Sequence, residues 1–158
     1  MYKIDKILIG THNMGKFREI SDLLPPEIVK ISPNSLKIES PNETGKTFSD
    51  NSLLKAKFFC EKSKLVTLSD DSGLEIECLN NQPGIYSARW AEQFGGFDNA
   101  MNEILKKVKG TNKGTKARFS SSLKNYWENK KFITEVGKIE GNISEKKGLN
   151  GFGYDPIF

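Results

Sequence analysis

Two adjacent carboxylates, Asp70 and Asp71, follow an apolar run at residues 65–68 and precede Ser72 and Gly73. The run has the length and β-branched content of a buried strand. A second, short strand pattern follows at residues 74–78. Two acids at the tip of a buried strand repel each other, so their charge must be offset. Hard carboxylate oxygens suit Mg²⁺, and Mg²⁺ is commonly bound together with phosphates. Asp, Ser and Gly are also ordinary turn residues, so the stretch alone is equally compatible with a solvated turn.

A second pattern lies near the N-terminus. Residues 10–16 satisfy G-x-x-x-x-G-K between a strand pattern and a helical one, the context of a phosphate-binding P-loop. Phe17 stands where a P-loop needs Ser or Thr for Mg²⁺, which rejects that reading. A turn at a helix N-terminus still offers N–H groups, and Lys16 and Asn13 add donors, which makes an anion cradle. The plain alternative is a strand-to-helix turn with an exposed lysine. Glu43, Asp50, Asn51 and Lys55 form a third polar group. Asn51 and Lys55 are four apart and share a helix face, and Glu43 precedes that helix and is placed to give an oxygen to a cation. Acids and Asn near helix starts are also common caps. Arg89 suits phosphate recognition and suits a structural ion pair equally well. Phe152, Gly153, Tyr154 and Asp155 set two aromatics and an acid around a glycine. Such a group can stack on a purine and accept from its N–H groups, or simply pack a core.

These residues need elements to hold them. Residues 6–10 read as a buried strand, 11–16 as a turn, and 16–24 as a helix with Phe17, Ile20, Leu23 and Leu24 at helical spacing. Pro25 and Pro26 stop it. Residues 28–31 suggest a strand and 32–46 a long polar loop, a length more often functional than not. Thr47 is placed to cap a helix over 48–63, with Leu53, Leu54, Ala56, Phe58 and Phe59 toward its buried side. Residues 80–84 form a turn. Residues 97–108 have helical period, 110–114 form a basic loop, and 116–123 and 132–139 read as paired antiparallel strands. Strands alternating with helices, and a β-rich second half, give an α/β class with a mixed sheet.

The composition sets bounds. A chain of 158 residues with 36% hydrophobic and 28% charged residues fits one folded domain rather than a disordered chain. The net charge of +4 favours an anionic ligand but is no nucleic-acid signature. No stretch has the length of a membrane span, and the N-terminus lacks a signal-peptide apolar region. Cys60 and Cys78 are far apart and His12 is the single histidine, so a disulfide framework or zinc site is not expected and a reducing cytoplasmic setting is.

Taken together the pieces become specific. Thr11-x-Asn13-x-Gly15-Lys16-x-x-Glu19, Glu43-Thr-Gly-x-Thr-Phe48, Asn51-x-x-x-Lys55-Ala56, Asp70-Asp-Ser-Gly-Leu74, Pro83-Gly-x-Tyr-Ser-Ala-Arg89, Ala117-Arg-Phe119 and the closing Gly151-Phe-Gly-Tyr-Asp-Pro-Ile-Phe158 occur in the order of one family. The sequence resembles the inosine/xanthosine triphosphate pyrophosphatases over nearly its whole length. The resemblance implies a two-lobed α/β fold with a long twisted mixed sheet flanked by helices, a nucleotide cleft between the lobes, and a homodimer. It implies Mg²⁺-dependent hydrolysis of ITP, dITP and XTP to the monophosphate and pyrophosphate. By motif, Thr11, His12, Asn13, Met14, Gly15 and Lys16 hold the triphosphate, and Asn51 and Lys55 assist at the phosphates; Arg89 stays a substrate-binding candidate on its residue type. Glu43 and Asp71 bind metal, and Asp71 is also the proton acceptor. Ser72 touches substrate, and Phe152 to Asp155 contact the base. His12 stands where the family usually has a small residue, and its imidazole is placed to contact phosphate. The resemblance further implies a segment beyond Phe158 with a base-contacting Lys and a Ser-His-Arg motif. Without it, the 158 residues are expected to bind Mg²⁺–triphosphate and hydrolyse ITP slowly, with little preference over ATP. The competing readings are a nucleotide-binding protein without turnover and a Maf-type pyrophosphatase, against which the Phe-Gly-Tyr-Asp stretch argues.

Overall fold

The computed structural model describes residues 4–148 and 151–158. The strands, in chain order, are β1 (Lys6–Ile9), β2 (Val29–Ile31), β3 (Thr67–Ile76), β4 (Gln82–Pro83), β5 (Lys116–Tyr126) and β6 (Phe132–Asn142). The helices are α1 (Met14–Leu23), α2 (Phe48–Ser63), α3 (Ser87–Gln93) and α4 (Phe97–Thr111). The sheet order is β2-β1-β3-β5-β6, with β4 paired to β3 off that path. β1 runs parallel to β2 and to β3, while β4 is antiparallel to β3, so the sheet is mixed. This is the α/β class with a mixed sheet that the alternation of patterns implies.

The contacts divide the chain into two compact units. The first holds the residues up to Asp71 together with Ser122–Val136; the second holds Ser72–Ser121 and Gly137–Phe158. β3, β5 and β6 each contribute residues to both.

In the first unit, β1 is buried because helices contact it from α1 and from α2. Ile7, Ile9 and Leu68 pack with Ile20, Phe17 and Leu24, the apolar stripe of α1. Ala56 and Cys60 of α2 pack with Tyr126 of β5. α2 begins where its sequence dictates: the Thr47 hydroxyl accepts from Asp50 N, and the Asp50 carboxylate accepts from Thr47 N, a capping box. Its buried positions are Asn51, Ser52, Ala56, Phe59 and Cys60. Leu53, Leu54 and Phe58, expected on the buried side, are only half-covered. Polar Asn51 and Ser52 are inside because each has a partner there: the Ser52 hydroxyl donates to Ser122 Oγ at 3.1 Å, and Asn51 is described below. Hydrogen bonding makes such burial tolerable.

The second unit has its own core, with Leu74 and Ile76 of β3, Ala100, Met101, Ile104 and Val108 of α4, and Tyr154 and Ile157. The spacing of the α4 residues is that of one helix face.

Several expected boundaries differ. Residues 65–78 do not form two strands around a turn; β3 runs unbroken through Asp70, Asp71, Ser72 and Gly73. α1 begins at Met14 rather than Lys16, and Asn13 is its N-cap. α3 follows a 3₁₀ turn over Gly84–Tyr86, in a stretch whose sequence carries no clear period. α4 continues to Thr111, into the expected basic loop. β5 and β6 are each three residues longer than their apolar patterns, because strand pairing extends over polar residues as well.

Candidate functional site

The acid pair sits inside the first unit. Asp70 and Asp71 are 5% and 6% exposed, which overturns the solvated-turn reading. Successive side chains of a strand leave on opposite faces, and that alternation separates the two charges. Asp70 shares the face of Leu68, the side packed against α1, and its Oδ2 accepts from Lys16 Nζ at 2.7 Å. Asp71 shares the face of Thr67 and Ser69, on the α2 side. Its Oδ2 accepts from Asn51 Nδ2 at 3.1 Å, and its Oδ1 lies 3.7 Å from Lys55 Nζ. The charge of the pair is thus met by two lysines, one from each helix.

Lys55 joins a third acid to this group: its Nζ lies 2.7 Å from Glu43 Oε1. Burial works against the Lys55 charge, but Asp71, Asp70 and Glu43 outweigh it and hold the ammonium above its usual range. Burial pushes the Asp71 carboxyl above the ordinary carboxylate range, with Glu43 adding to the rise and Lys55, Asn51 and Lys16 opposing it. A carboxylate made more basic in this way is better suited to take a proton.

The loop that delivers Glu43 is fastened on both sides. Downstream, Asn51 Oδ1 accepts from Gly45 N at 2.8 Å, and the Asp50 carboxylate accepts from Lys46 N. A Cβ on Gly45 would lie 2.5 Å from Asn51 Oδ1 and 2.6 Å from Asp50 Cβ, so only glycine allows this approach. Upstream, His12 Nε2 lies 3.0 Å from Ile38 O and its Nδ1 lies 2.6 Å from Ser40 Oγ.

The turn before α1 is also self-satisfied. Asn13 Oδ1 accepts from Gly15 N and Lys16 N, and Thr11 Oγ1 accepts from Asn13 N. Asn13 is therefore a cap here rather than an added donor, and Met14 is exposed. A ligand anion at this turn would compete with the Asn13 side chain for two N–H groups.

The remaining expected residues lie in the second unit. Ser72 is half-buried on β3 next to Asp71. Arg89 is on α3, exposed, with its guanidinium 5.1 Å from the centre of the Tyr86 ring. Tyr154 is buried; its hydroxyl donates to Ser87 O at 2.8 Å and its ring meets Phe97 edge-on at 5.1 Å. Burial pushes that hydroxyl up to about 12. Phe152 and Gly153 are half-buried, and the exposed Asp155 accepts from Phe152 N at 3.0 Å. Sequence reasoning missed Asp70 as the partner of Lys16, because that contact joins residues 54 apart.

Among the described residues no three His, Cys, Asp or Glu side chains gather into a metal cage. Glu43 and Asp71 do converge on one cation, the Lys55 ammonium. Mg²⁺ is usually held by one or two carboxylates together with substrate phosphates rather than by an all-protein cage, and this pair of hard donors fits that mode.

Fold and cluster define a mixed-sheet α/β protein whose central strand carries a buried, lysine-compensated acid pair. The chain belongs to the Ham1 family, whose model matches residues 7–158. It is 40% identical over 157 residues to the dITP/XTP pyrophosphatase of Zymomonas mobilis subsp. mobilis, covering 97% of this chain and 75% of the relative. It is 38% identical over 155 residues to the dITP/XTP pyrophosphatase of Caulobacter vibrioides, covering 97% and 80%. Among solved structures it is similar to a HAM1 protein from Coxiella burnetii, with a TM-score of 0.85, 32% identity, and coverage of 99% and 81%. The Staphylococcus aureus Ham1 protein matches with a TM-score of 0.83, 32% identity, and coverage of 97% and 80%.

Proposed function

We propose that this chain is a nucleoside triphosphate pyrophosphatase that hydrolyses non-standard purine nucleotides, dITP, XTP and ITP, to the monophosphate and pyrophosphate. The observation that carries the reading is Asp71, a basic carboxylate that accepts from Asn51 and shares the Lys55 ammonium with Glu43, in a chain close to proteins named for this activity.

In this reading the backbone of the turn from Thr11 to Lys16 holds the triphosphate together with the Lys16 side chain, which exchanges part of its contact with Asp70 for phosphate oxygens. Glu43 and Asp71 hold Mg²⁺, which when bound offsets phosphate charge and lowers the pKa of water. Asp71 takes a proton from the attacking water as its oxygen bonds to the α-phosphorus and the bond to the bridging oxygen of the β-phosphate breaks. Lys55, Lys16 and Arg89 stabilise the charge on the departing pyrophosphate. Asn51 fixes the orientation of Asp71 through its amide N–H. Ser72 and the segment Phe152, Gly153, Tyr154 and Asp155 contact substrate, the latter at the base. Among the described residues no helix is long and apolar enough to cross a membrane, and the setting proposed is the cytoplasm, without nucleic-acid or membrane partners. The enzyme is proposed to act as a homodimer, a reading supported by the exposed apolar side chains of β6.

The test is a product assay across dITP, XTP, ITP and ATP with and without Mg²⁺, resolving monophosphate, diphosphate, phosphate and pyrophosphate. Pyrophosphate and monophosphate in equal amounts, dependent on Mg²⁺, is the expected result, and the rates for dITP and XTP relative to ATP measure how far these residues select the base. Release of single phosphates, or binding with no turnover, would overturn it.

A further inference from the structure

His12 lies in the Thr11–Lys16 turn, and both of its ring nitrogens meet the loop that leads to Glu43. A backbone carbonyl only accepts, so the contact with Ile38 O fixes the proton on Nε2. Nδ1 lies 2.6 Å from the Ser40 hydroxyl, a group that can donate or accept, so both ring nitrogens are engaged. The ring itself packs beside Phe59 of α2, with centroids 5.9 Å apart. Phe59 is fully buried, so the imidazole rests on a fixed surface.

The two residues it holds lie just upstream of Glu43, and Gly45, held by Asn51, lies just downstream. Glu43 therefore sits on a short span of chain between two anchors. One anchor belongs to α2 and the other to the turn before α1. The Ile38 N–H also donates to Pro33 O at 3.0 Å, which pins the backbone as far as Ile38; residues 39–44 form neither strand nor helix, and losing the His12 contacts loosens the upstream end of that span.

We propose that His12 is a positioning residue: it fastens the Glu43 loop to the Thr11–Lys16 turn and so sets the Glu43 carboxylate against Lys55 and Asp71. This rests on the reading that Glu43 and Asp71 hold the metal of the reaction. It assigns the imidazole to the loop rather than to phosphate. It also couples the turn and the acid cluster, because a shift of the turn pulls on the loop that carries Glu43.

The test uses the full chain with His12→Ala, His12→Gln and Ser40→Ala. The Gln amide nitrogen reaches the position of Nε2 and restores the bond to Ile38 O, whereas Ala restores nothing. For His12→Ala, the Mg²⁺ concentration giving half-maximal hydrolysis of dITP is expected to rise about tenfold or more, the size usual for a partner that orients a metal ligand. The KM for dITP at saturating Mg²⁺ should change little, and His12→Gln should recover most of the loss. Ser40→Ala should fall between the two. Two readouts do not need turnover: hydrogen exchange of residues 38–45 should speed up in His12→Ala and slow again in His12→Gln, and binding of Mn²⁺ alone, followed by its electron spin resonance, should weaken in the same order. If the wild type shows no hydrolysis, the proposed reaction fails while exchange and Mn²⁺ binding still decide the role of His12. A rise in the KM for dITP with unchanged Mg²⁺ dependence and unchanged exchange at 38–45 would make His12 a phosphate contact and overturn the proposal. So would equal losses in His12→Gln and His12→Ala.

Discussion

Asp71 carries opposing demands. Its burial raises its pKa, so its folded value lies above its unfolded one. A group shifted in that direction adds stability below the unfolded pKa, and that contribution is lost as pH rises through the folded pKa. At neutral pH the ionised Asp71 therefore weighs against folding, and the same basicity suits it to accept a proton. Asp71→Asn keeps the shape and removes the charge. We expect it to lower turnover by about 10²–10⁴-fold, the range for loss of a general base, while denaturant unfolding at pH 7 shows stability equal to or above wild type. At pH 3 that advantage should vanish. A variant that keeps wild-type turnover removes Asp71 from the proton-transfer role. Lys16 behaves differently, because it compensates Asp70 as well as standing in the turn proposed to hold phosphate. Lys16→Ala should weaken triphosphate binding and also cost about 2 kcal/mol in stability, since a buried carboxylate loses a charge-assisted bond. Adding Asp70→Asn should restore much of the stability and none of the binding. Calorimetry of the two variants beside titration with a non-hydrolysable triphosphate separates the effects.

The elements show where a sequence is explicit and where it is mute. The ends and cap of α2 are legible because Thr47 and Asp50 carry the capping chemistry locally. The period of α4 is legible because one face is apolar. β3 is not legible as one strand: Asp-Asp-Ser-Gly has turn composition, and what keeps it extended is pairing with its neighbours and two lysines supplied from distant helices. The residue types of the acid cluster could be read from the sequence, but their partners could not, because each contact crosses a large sequence separation. α3 was hidden by its length of seven residues and the Pro-Gly before it. Two predictions belong to this scale. Gly45→Ala places a methyl group against Asn51 and Asp50, whose backbone belongs to the first turn of α2. The loop must then move, and hydrolysis at limiting Mg²⁺ should fall more than hydrolysis at saturating Mg²⁺. In the second unit, Arg118 Nε donates to Glu75 Oε2 at 2.8 Å and the Ser120 hydroxyl donates to the same oxygen. The Arg118 hydrogen bond holds the Glu75 carboxyl below its usual range, with burial opposing and Ser120 assisting. That stabilisation is present above the unfolded pKa of about 4.3 and is lost as pH falls through the lower folded value. Glu75→Gln should therefore be less stable than wild type at pH 7, with the gap closing in acid. A gap independent of pH would mean that shape rather than charge holds this junction.

At the scale of the molecule, the exposed part of the sheet is as informative as its core. β6 is the last strand of the order β2-β1-β3-β5-β6, and it is 11 residues long. Ile133, Val136 and Ile139 are 54%, 62% and 66% exposed, and Phe132 is 48% exposed. Apolar side chains appear on both faces of the strand, since 133 and 139 alternate with 132 and 136. A long apolar edge strand offers unpaired backbone groups as well as apolar surface, a combination that invites pairing with another chain. Charged residues limit this, and β6 has Glu135, Lys138 and Glu140 among its apolar positions. The balance favours a specific contact over unlimited stacking: the charges make most registers costly, because like charges placed opposite each other on neighbouring strands repel. The expected behaviour is reversible, concentration-dependent association that stops at the dimer. Val136→Lys adds a charge at the more exposed of the two apolar residues on its face of β6. It should weaken association by about tenfold or more, equivalent to roughly 1.4 kcal/mol, and leave the melting temperature of the dilute protein unchanged. Sedimentation equilibrium of the two proteins over a wide concentration range gives the comparison directly. If Val136→Lys associates as strongly as wild type, the contact lies elsewhere on the surface and β6 is an edge guarded well enough by its own charges.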